Sequence, residues 1–233
     1  MASFTIRGVL RTSFEVWKRN FLPFTLIAAL CYAPELVLRL LMPSEDWDLY
    51  SIATTTLINA LIASAVTYGV IMELQGTRPP AARSIARGLA QLGPALGVTV
   101  VSALAIIGGL LLFVVPGVIV LLMLFVAVPV AVTERLGVMA ALHRSRELTH
   151  GHKWTLCWVY LILAILSYGL QMTLEDVLGG GTQAYVWFAL DVTWGLFVAV
   201  VAAVAYTQLR QVKEGVQVPQ LARAFARVRD GGS

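Results

Sequence analysis

The sequence predicts an all-α polytopic membrane protein, a six-transmembrane-helix bundle with basic amphipathic helices at the interface. Three observations carry that expectation. Only 13% of the 233 residues are charged, 58% are apolar, and mean hydropathy is +0.80. A water-soluble fold of this size cannot hide so much apolar surface behind so few charges. Long stretches contain no Asp, Glu, Lys or Arg at all, and 16 of the 17 basic residues fall outside the predicted spans. The composition excludes a disordered chain, a disulfide scaffold and a DNA-binding domain. The pI near 9.3 therefore reads as a topology signal, with no nucleic-acid partner implied.

Residues 1–20 are expected to form an N-terminal interfacial helix. Ile6, Leu10, Phe14 and Trp17 share one face, and Arg7, Arg11, Glu15 and Lys18 another, at spacings of three and four. Residues 21–209 follow as a transmembrane domain of three helical hairpins, and 210–233 as a basic amphipathic tail. A bilayer core of roughly 30 Å needs about 20 helical residues. The first span, about residues 21–42, is apolar except for Glu35 and Arg39. It reads as a retained anchor, because Pro34 follows the small-residue sequence Cys31-Tyr32-Ala33 and spoils a cleavage site.

The second span, 50–72, lies in the charge-free run Leu49–Met72. Gly88–Thr133 is charge-free over 46 residues. As one helix it would be roughly 69 Å long, so it must fold back into spans 94–115 and 117–133. Pro116-Gly117 is the expected turn and Gly108-Gly109 the competing break. The fifth and sixth spans, 155–175 and 185–208, rest on Trp154–Leu174 and Val192–Leu209. Pro34 and Pro129 are expected to kink the first and fourth spans. Small residues at spacing four (Thr56, Ala60 and Ser64; Gly195, Ala199, Ala203 and Thr207; and Gly93 with Gly97) suit close helix packing. Cys31 and Cys157 read as small buried hydrophobes, not as a disulfide.

Six spans place every basic segment on one side, and that side is expected to be cytoplasmic with both termini inside. The segments between spans contribute further basic helices. Residues 81–92 set Ile85, Leu89 and Leu92 against Arg83 and Arg87, and 219–229 set Leu221, Phe225 and Val228 against Arg223 and Arg227. A more polar helix is expected over 134–150. The lipid-headgroup candidates are thus Arg7, Arg11, Lys18, Arg83, Arg87, Arg144, Arg146, Lys153, Arg223 and Arg227. The alternative is a topology anchor without lipid preference.

Glu35, Arg39 and Asp191 lie within predicted spans, so they form a candidate intramembrane polar cluster. It reads as a polar staple between the first and sixth spans, as part of a solute or proton pathway, or as side chains that snorkel to the interface. His143, His150 and His152 are weak metal candidates, since neither a cysteine nor a well-placed acid completes a ligand set. Ser145-Arg146 followed by His152 echoes one fragment of membrane lipid-phosphatase motifs, but Leu156 stands where an Asp is needed. No nucleophile elbow, zinc-protease helix or phosphate loop occurs. Catalysis is disfavoured and no cofactor is implied.

Several segments together resemble a known family. Val115-Pro116-Gly117 is followed by Phe125-Val126-Ala127-Val128-Pro129 and Glu134-Arg135-Leu136-Gly137. Then come Ala140-Ala141-Leu142, Arg144-Ser145, Glu147-Leu148-Thr149 and Gly151-His152, and finally Ala205-Tyr206, Leu209-Arg210 and Lys213-Glu214-Gly215. This order is similar to the bacterial YciC-type membrane proteins and the membrane domain attached to some glycerophosphodiester phosphodiesterases. The resemblance covers roughly residues 90–216 and implies a multi-pass protein of a bacterial inner membrane. The phosphodiesterase catalytic domain has no counterpart here, so its activity does not carry over.

The expected function is a non-enzymatic envelope or lipid-associated scaffold or accessory protein. Its cytoplasmic basic helices would bind anionic headgroups or a membrane-protein partner, or a second copy. One alternative is a small transporter or channel using Glu35, Arg39 and Asp191; another is a lipid-modifying membrane enzyme.

Overall fold

The computed structural model describes residues 4–41, 47–77, 81–177 and 183–215. Those residues are helical almost throughout, with no strand among them. The helices are α1 (Ile6–Arg19), α2 (Phe21–Leu41), α3 (Trp47–Leu74), α4 (Ala81–Ala90) and α5 (Leu92–Leu112), followed by α6 (Val114–Leu124), α7 (Ala127–Glu134), α8 (Val138–Thr149), α9 (Lys153–Val177) and α10 (Gln183–Glu214). Five stretches are long and apolar enough to cross a membrane: Thr54–Leu74, Leu92–Leu112, Val114–Glu134, Lys153–Leu170 and Val192–Glu214. Phe21–Glu35 is a shorter apolar helix. The chain is accordingly an all-helical membrane protein.

α10 is the central post. One face packs with α2 and α3 through Leu196, Val200 and Val204 against Phe24, Ile27, Val66 and Val70. The other meets α7, α8 and α9 through Val201, Ala205, Tyr206 and Leu209 against Val130, Ala131, Leu148 and Leu156. Of the small residues expected at helix contacts, Ala60, Ser64, Ala203 and Thr207 are buried, while Gly93 and Gly195 are exposed. In a bilayer such close approach holds helices together by dispersion, because lipid tails supply no hydrophobic drive. α5 and α9, by contrast, turn Leu104, Ile107, Leu111, Ile165 and Leu166 outward, as lipid-facing helices do.

α1 starts at Thr5, whose Oγ1 accepts the Gly8 N–H at 3.2 Å, and ends with Lys18 and Arg19 on the negative end of its dipole. It docks on the bundle through Val9, Ser13 and Val16. This stripe is rotated from the expected one: Ile6, Leu10 and Trp17 are only partly buried, and Phe14 is 53% exposed. α4 is shifted likewise. Its buried residues are Ser84 and Gly88, while Leu89 is exposed. At Gly88 a Cβ would lie 3.0 Å from the Ala65 backbone nitrogen, so α3 and α4 meet backbone to backbone.

Two further expectations are corrected. The hairpin in the long apolar run turns at Phe113, an extended residue (φ −165°, ψ 155°) between α5 and α6, not at Pro116-Gly117. Pro116 sits in the first turn of α6, where its missing N–H costs little. Gly117 faces Gly109 across the hairpin. The fourth span, Val114–Glu134, is interrupted for two residues where a kink was expected: α6 stops at Leu124 and α7 starts at Ala127. Pro129, in the first turn of α7, has no N–H to continue the earlier helix. The Met123 carbonyl at the break accepts from Ser145 Oγ at 2.8 Å and Thr149 Oγ1 at 3.4 Å, both on α8.

Candidate functional site

The basic ends of the helices carry one dense polar network. Glu134, the last residue of α7, points one carboxylate oxygen at Arg144 Nε on α8 (3.1 Å). Its other oxygen accepts from the Tyr206 hydroxyl of α10 at 3.1 Å and lies 3.7 Å from Arg210 Nη1. Arg210 donates to Tyr206 Oη (3.0 Å) and to Glu214 Oε2 (2.9 Å), one helical turn on. Arg144 Nη2 donates to the other oxygen of Glu214, and Nη1 reaches Glu147 at 3.5 Å. Lys213 Nζ caps the Glu147 carbonyl. Burial alone would lower the Arg144 pKa, but the carboxylates of Glu134 and Glu214 outweigh it and hold the guanidinium above its ordinary value. Every one of these groups meets a partner of opposite character. Such a network clamps α7, α8 and α10 together.

Arg144 is therefore an internal ion-pair residue, only 27% exposed, although its sequence neighbourhood suggested a headgroup ligand. Glu134, Tyr206, Arg210 and Glu214 were not among the sequence candidates. Only the Arg210–Glu214 spacing of four signalled a pair. All four stand in the segments that carry the family resemblance.

Clamping consumes acids. Glu134, Glu147 and Glu214 are engaged in the network, and Glu15 is paired with Arg11 at 2.9 Å. Arg7, Lys18, Arg83 and Arg146 are exposed, and Lys153 is half-buried. Arg87 and Arg135 line one small gap together with Tyr68 and Gln91. Arg87 is half-buried there, and no ion pair to a described carboxylate engages either guanidinium. Arg135 adopts the left-handed conformation (φ 53°) that caps α7. Glycine is the usual residue in that geometry, and a side chain there costs about 1 kcal/mol. Arg223 and Arg227 lie outside the described residues.

Of the intramembrane candidates, Glu35 is buried at 7% exposure and accepts from Thr55 Oγ1 at 3.3 Å. Its second oxygen has no hydrogen-bond partner among the described residues. The side chains of Arg39 and Asp191 lie outside the described residues. One turn along α2 and α3, the Tyr32 hydroxyl donates to Asn59 Oδ1 at 2.8 Å. Below Asn59 a cleft of about 440 Å³ runs between α3, α5, α10 and the broken α6–α7 segment.

The histidines do not converge. His143 pairs with Glu147 at 3.4 Å, His150 is exposed, and His152 packs edge-on against Phe4 with ring centroids 5.3 Å apart. Burial and the nearby Lys213 ammonium push the His152 imidazole below its ordinary pKa. Among the described residues no three His, Cys, Asp or Glu side chains form a metal-binding group. Cys31 is buried and Cys157 half-buried, both as free thiols. Comparison with family models, curated proteins and solved structures finds no match to this chain.

Proposed function

We propose that this chain is a six-span protein of a bacterial inner membrane, with both termini cytoplasmic. In this reading it acts without catalysis, as an envelope scaffold or accessory protein that holds anionic lipid headgroups on its basic end. One observation carries the proposal: at that end Glu15, Glu134, Glu147 and Glu214 are each occupied by an arginine, and a surplus of cations faces outward. A juxtamembrane cation near an anionic leaflet contributes about 1 kcal/mol of attraction, so several together hold lipid firmly. Phe21–Glu35, continued as helix to Leu41, supplies the sixth crossing. The likeness to the YciC-type family belongs to this reading, because some of the segments that carry it, those of Glu134, Arg144, Tyr206, Arg210 and Glu214, contribute to the network.

Arg87 and Arg135, which share one small gap, are the headgroup pair this reading assigns to that face. The two guanidiniums border the gap, and a phosphate oxygen at its mouth would meet both cations. Arg135→Gly is expected to raise stability by about 1 kcal/mol, since glycine adopts the left-handed cap freely. Combined with Arg87→Gln, it is expected to reduce retained phosphatidylglycerol in native mass spectra from mixed nanodiscs, with phosphatidylcholine unaffected. Equal retention of the anionic lipid by the parent and the double variant would refute the assignment.

A further inference from the structure

We propose that the intramembrane cleft binds a neutral, single-chain amphiphile drawn from the bilayer, one long apolar chain bearing a hydroxyl or carbonyl group. The inference stands on different residues from the headgroup reading and does not depend on it.

Four features of the cleft point the same way. Its volume, about 440 Å³, falls in the range of sites for single small molecules. Its floor is the broken helix, with Leu124, Phe125, Val128 and Pro129 lining it on either side of the break. Non-helical backbone at membrane depth is tolerated where it is enclosed by protein or lines a cavity, and interrupted helices commonly border binding sites. The freed Met123 carbonyl is already satisfied by Ser145 and Thr149. The break is thus held by α8 and needs no ligand to form it.

Room in the cleft comes from Ala63, Gly195, Ala199 and Ala202, small residues where larger ones would close the space. Part of the small-residue stripe on α10 therefore opens a site, while Ala203 and Thr207, farther along the same stripe, are buried.

Polarity selects the ligand. None of the lining residues is acidic or basic, and most of the wall is aliphatic or aromatic. A charged solute entering here would lose its hydration without gaining a counter-ion, which is prohibitive in a low-dielectric interior. The wall nevertheless offers hydrogen bonds. Asn59 uses its Oδ1 on Tyr32, which leaves its amide N–H groups as donors. Ser102 Oγ is buried with no hydrogen-bond partner. Thr67 and Thr99 give their hydroxyl protons to Ala63 and Ala95 carbonyls, which leaves oxygen lone pairs as acceptors. A buried hydroxyl without a partner is costly, and a ligand hydroxyl or carbonyl relieves that cost.

The test uses the full chain in phosphatidylcholine nanodiscs and a hexadecanol carrying a diazirine in its chain. Photolabelling is expected on α3, α5 and α10 residues of the cleft, with competition by unlabelled hexadecanol but not by hexadecyl phosphate. Ala199→Phe, which fills the space, is expected to cut labelling about tenfold. Ser102→Ala leaves the volume unchanged and should weaken labelling by the alcohol but not by the corresponding diazirine hydrocarbon; it carries the test if the phenylalanine variant does not fold. Labelling confined to the outward faces of α5 and α9, full labelling in a folded Ala199→Phe protein, equal competition by hexadecyl phosphate, or a Ser102→Ala protein that takes the alcohol as well as the parent would each overturn the proposal.

Discussion

Glu134→Ala is expected to destabilise the protein by about 3–5 kcal/mol, the cost typical of removing one partner from a buried ion pair. Three groups lose their partner at once. Arg144 and Arg210, 27% and 16% exposed, would face each other with one carboxylate fewer between them. The fully buried Tyr206 would lose its acceptor. For a chain of this length such a loss lowers the melting temperature on the order of ten degrees. Heating in detergent followed by size-exclusion chromatography reads it directly. Glu134→Gln keeps an acceptor for Tyr206 and should cost less. Glu134→Ala combined with Arg144→Ala should also cost less than Glu134→Ala alone, because the unpaired cation is removed too. A melting temperature within about two degrees of the parent for Glu134→Ala would show that the network holds nothing together.

The second large effect is expected at the α5–α6 hairpin. A Cβ at Gly117 would lie 2.8 Å from the Leu110 backbone nitrogen and 2.5 Å from its Cγ; at Gly109 it would lie 2.8 Å from the Gly117 Cα. The contacts with the Leu110 nitrogen and the Gly117 Cα are backbone contacts, which no rotamer change relieves. Gly117→Val must therefore push the two helices apart just beyond a single connecting residue, at a cost of about 3 kcal/mol or more. Gly108 is the control. A Cβ there meets nothing within 4 Å, so Gly108→Val should stay within about 1 kcal/mol of the parent. Recovery of monodisperse protein and its melting temperature separate the two variants. Equal behaviour would mean that the tight Phe113 turn is not the true connection.

The contrast between those glycines shows where sequence reasoning succeeds and fails. Charge-free length located the apolar helices well, since a run that lacks charge for a bilayer's width has few other uses. The turn was misplaced because Pro-Gly is an ambiguous sign: it marks loops, but proline also fits the first turn of a helix and glycine also permits close approach. The break at Phe125–Val126 left only Pro129 as a trace, and a proline alone does not distinguish a kink from two helices capped from α8.

Amphipathic patterning located the helices α1 and α4; Arg7, Arg11, Lys18 and Arg83 are exposed, but Arg87 is half-buried. The patterning misjudged their buried faces, because Ser13, Ser84 and Gly88 are buried for closeness of approach and not for hydrophobicity. Within the network, Arg210–Glu214 was legible as a spacing of four. Tyr206 and Glu134, 72 residues apart, are joined only by the fold. Glu35 was singled out for its place in a predicted span; it is buried in the protein, and its Thr55 contact could not be read from one helix alone.

The claim on which the account rests is that the helices cross the bilayer so that every basic connection emerges on one face. Single cysteines introduced as Asp46→Cys and Ala86→Cys, in a chain with Cys31 and Cys157 replaced, test it most directly. An impermeant maleimide applied to intact cells should label position 46 and should reach position 86 only after the membrane is opened. Labelling of both positions in intact cells, or of position 86 alone, would contradict the threading and the headgroup reading built on it.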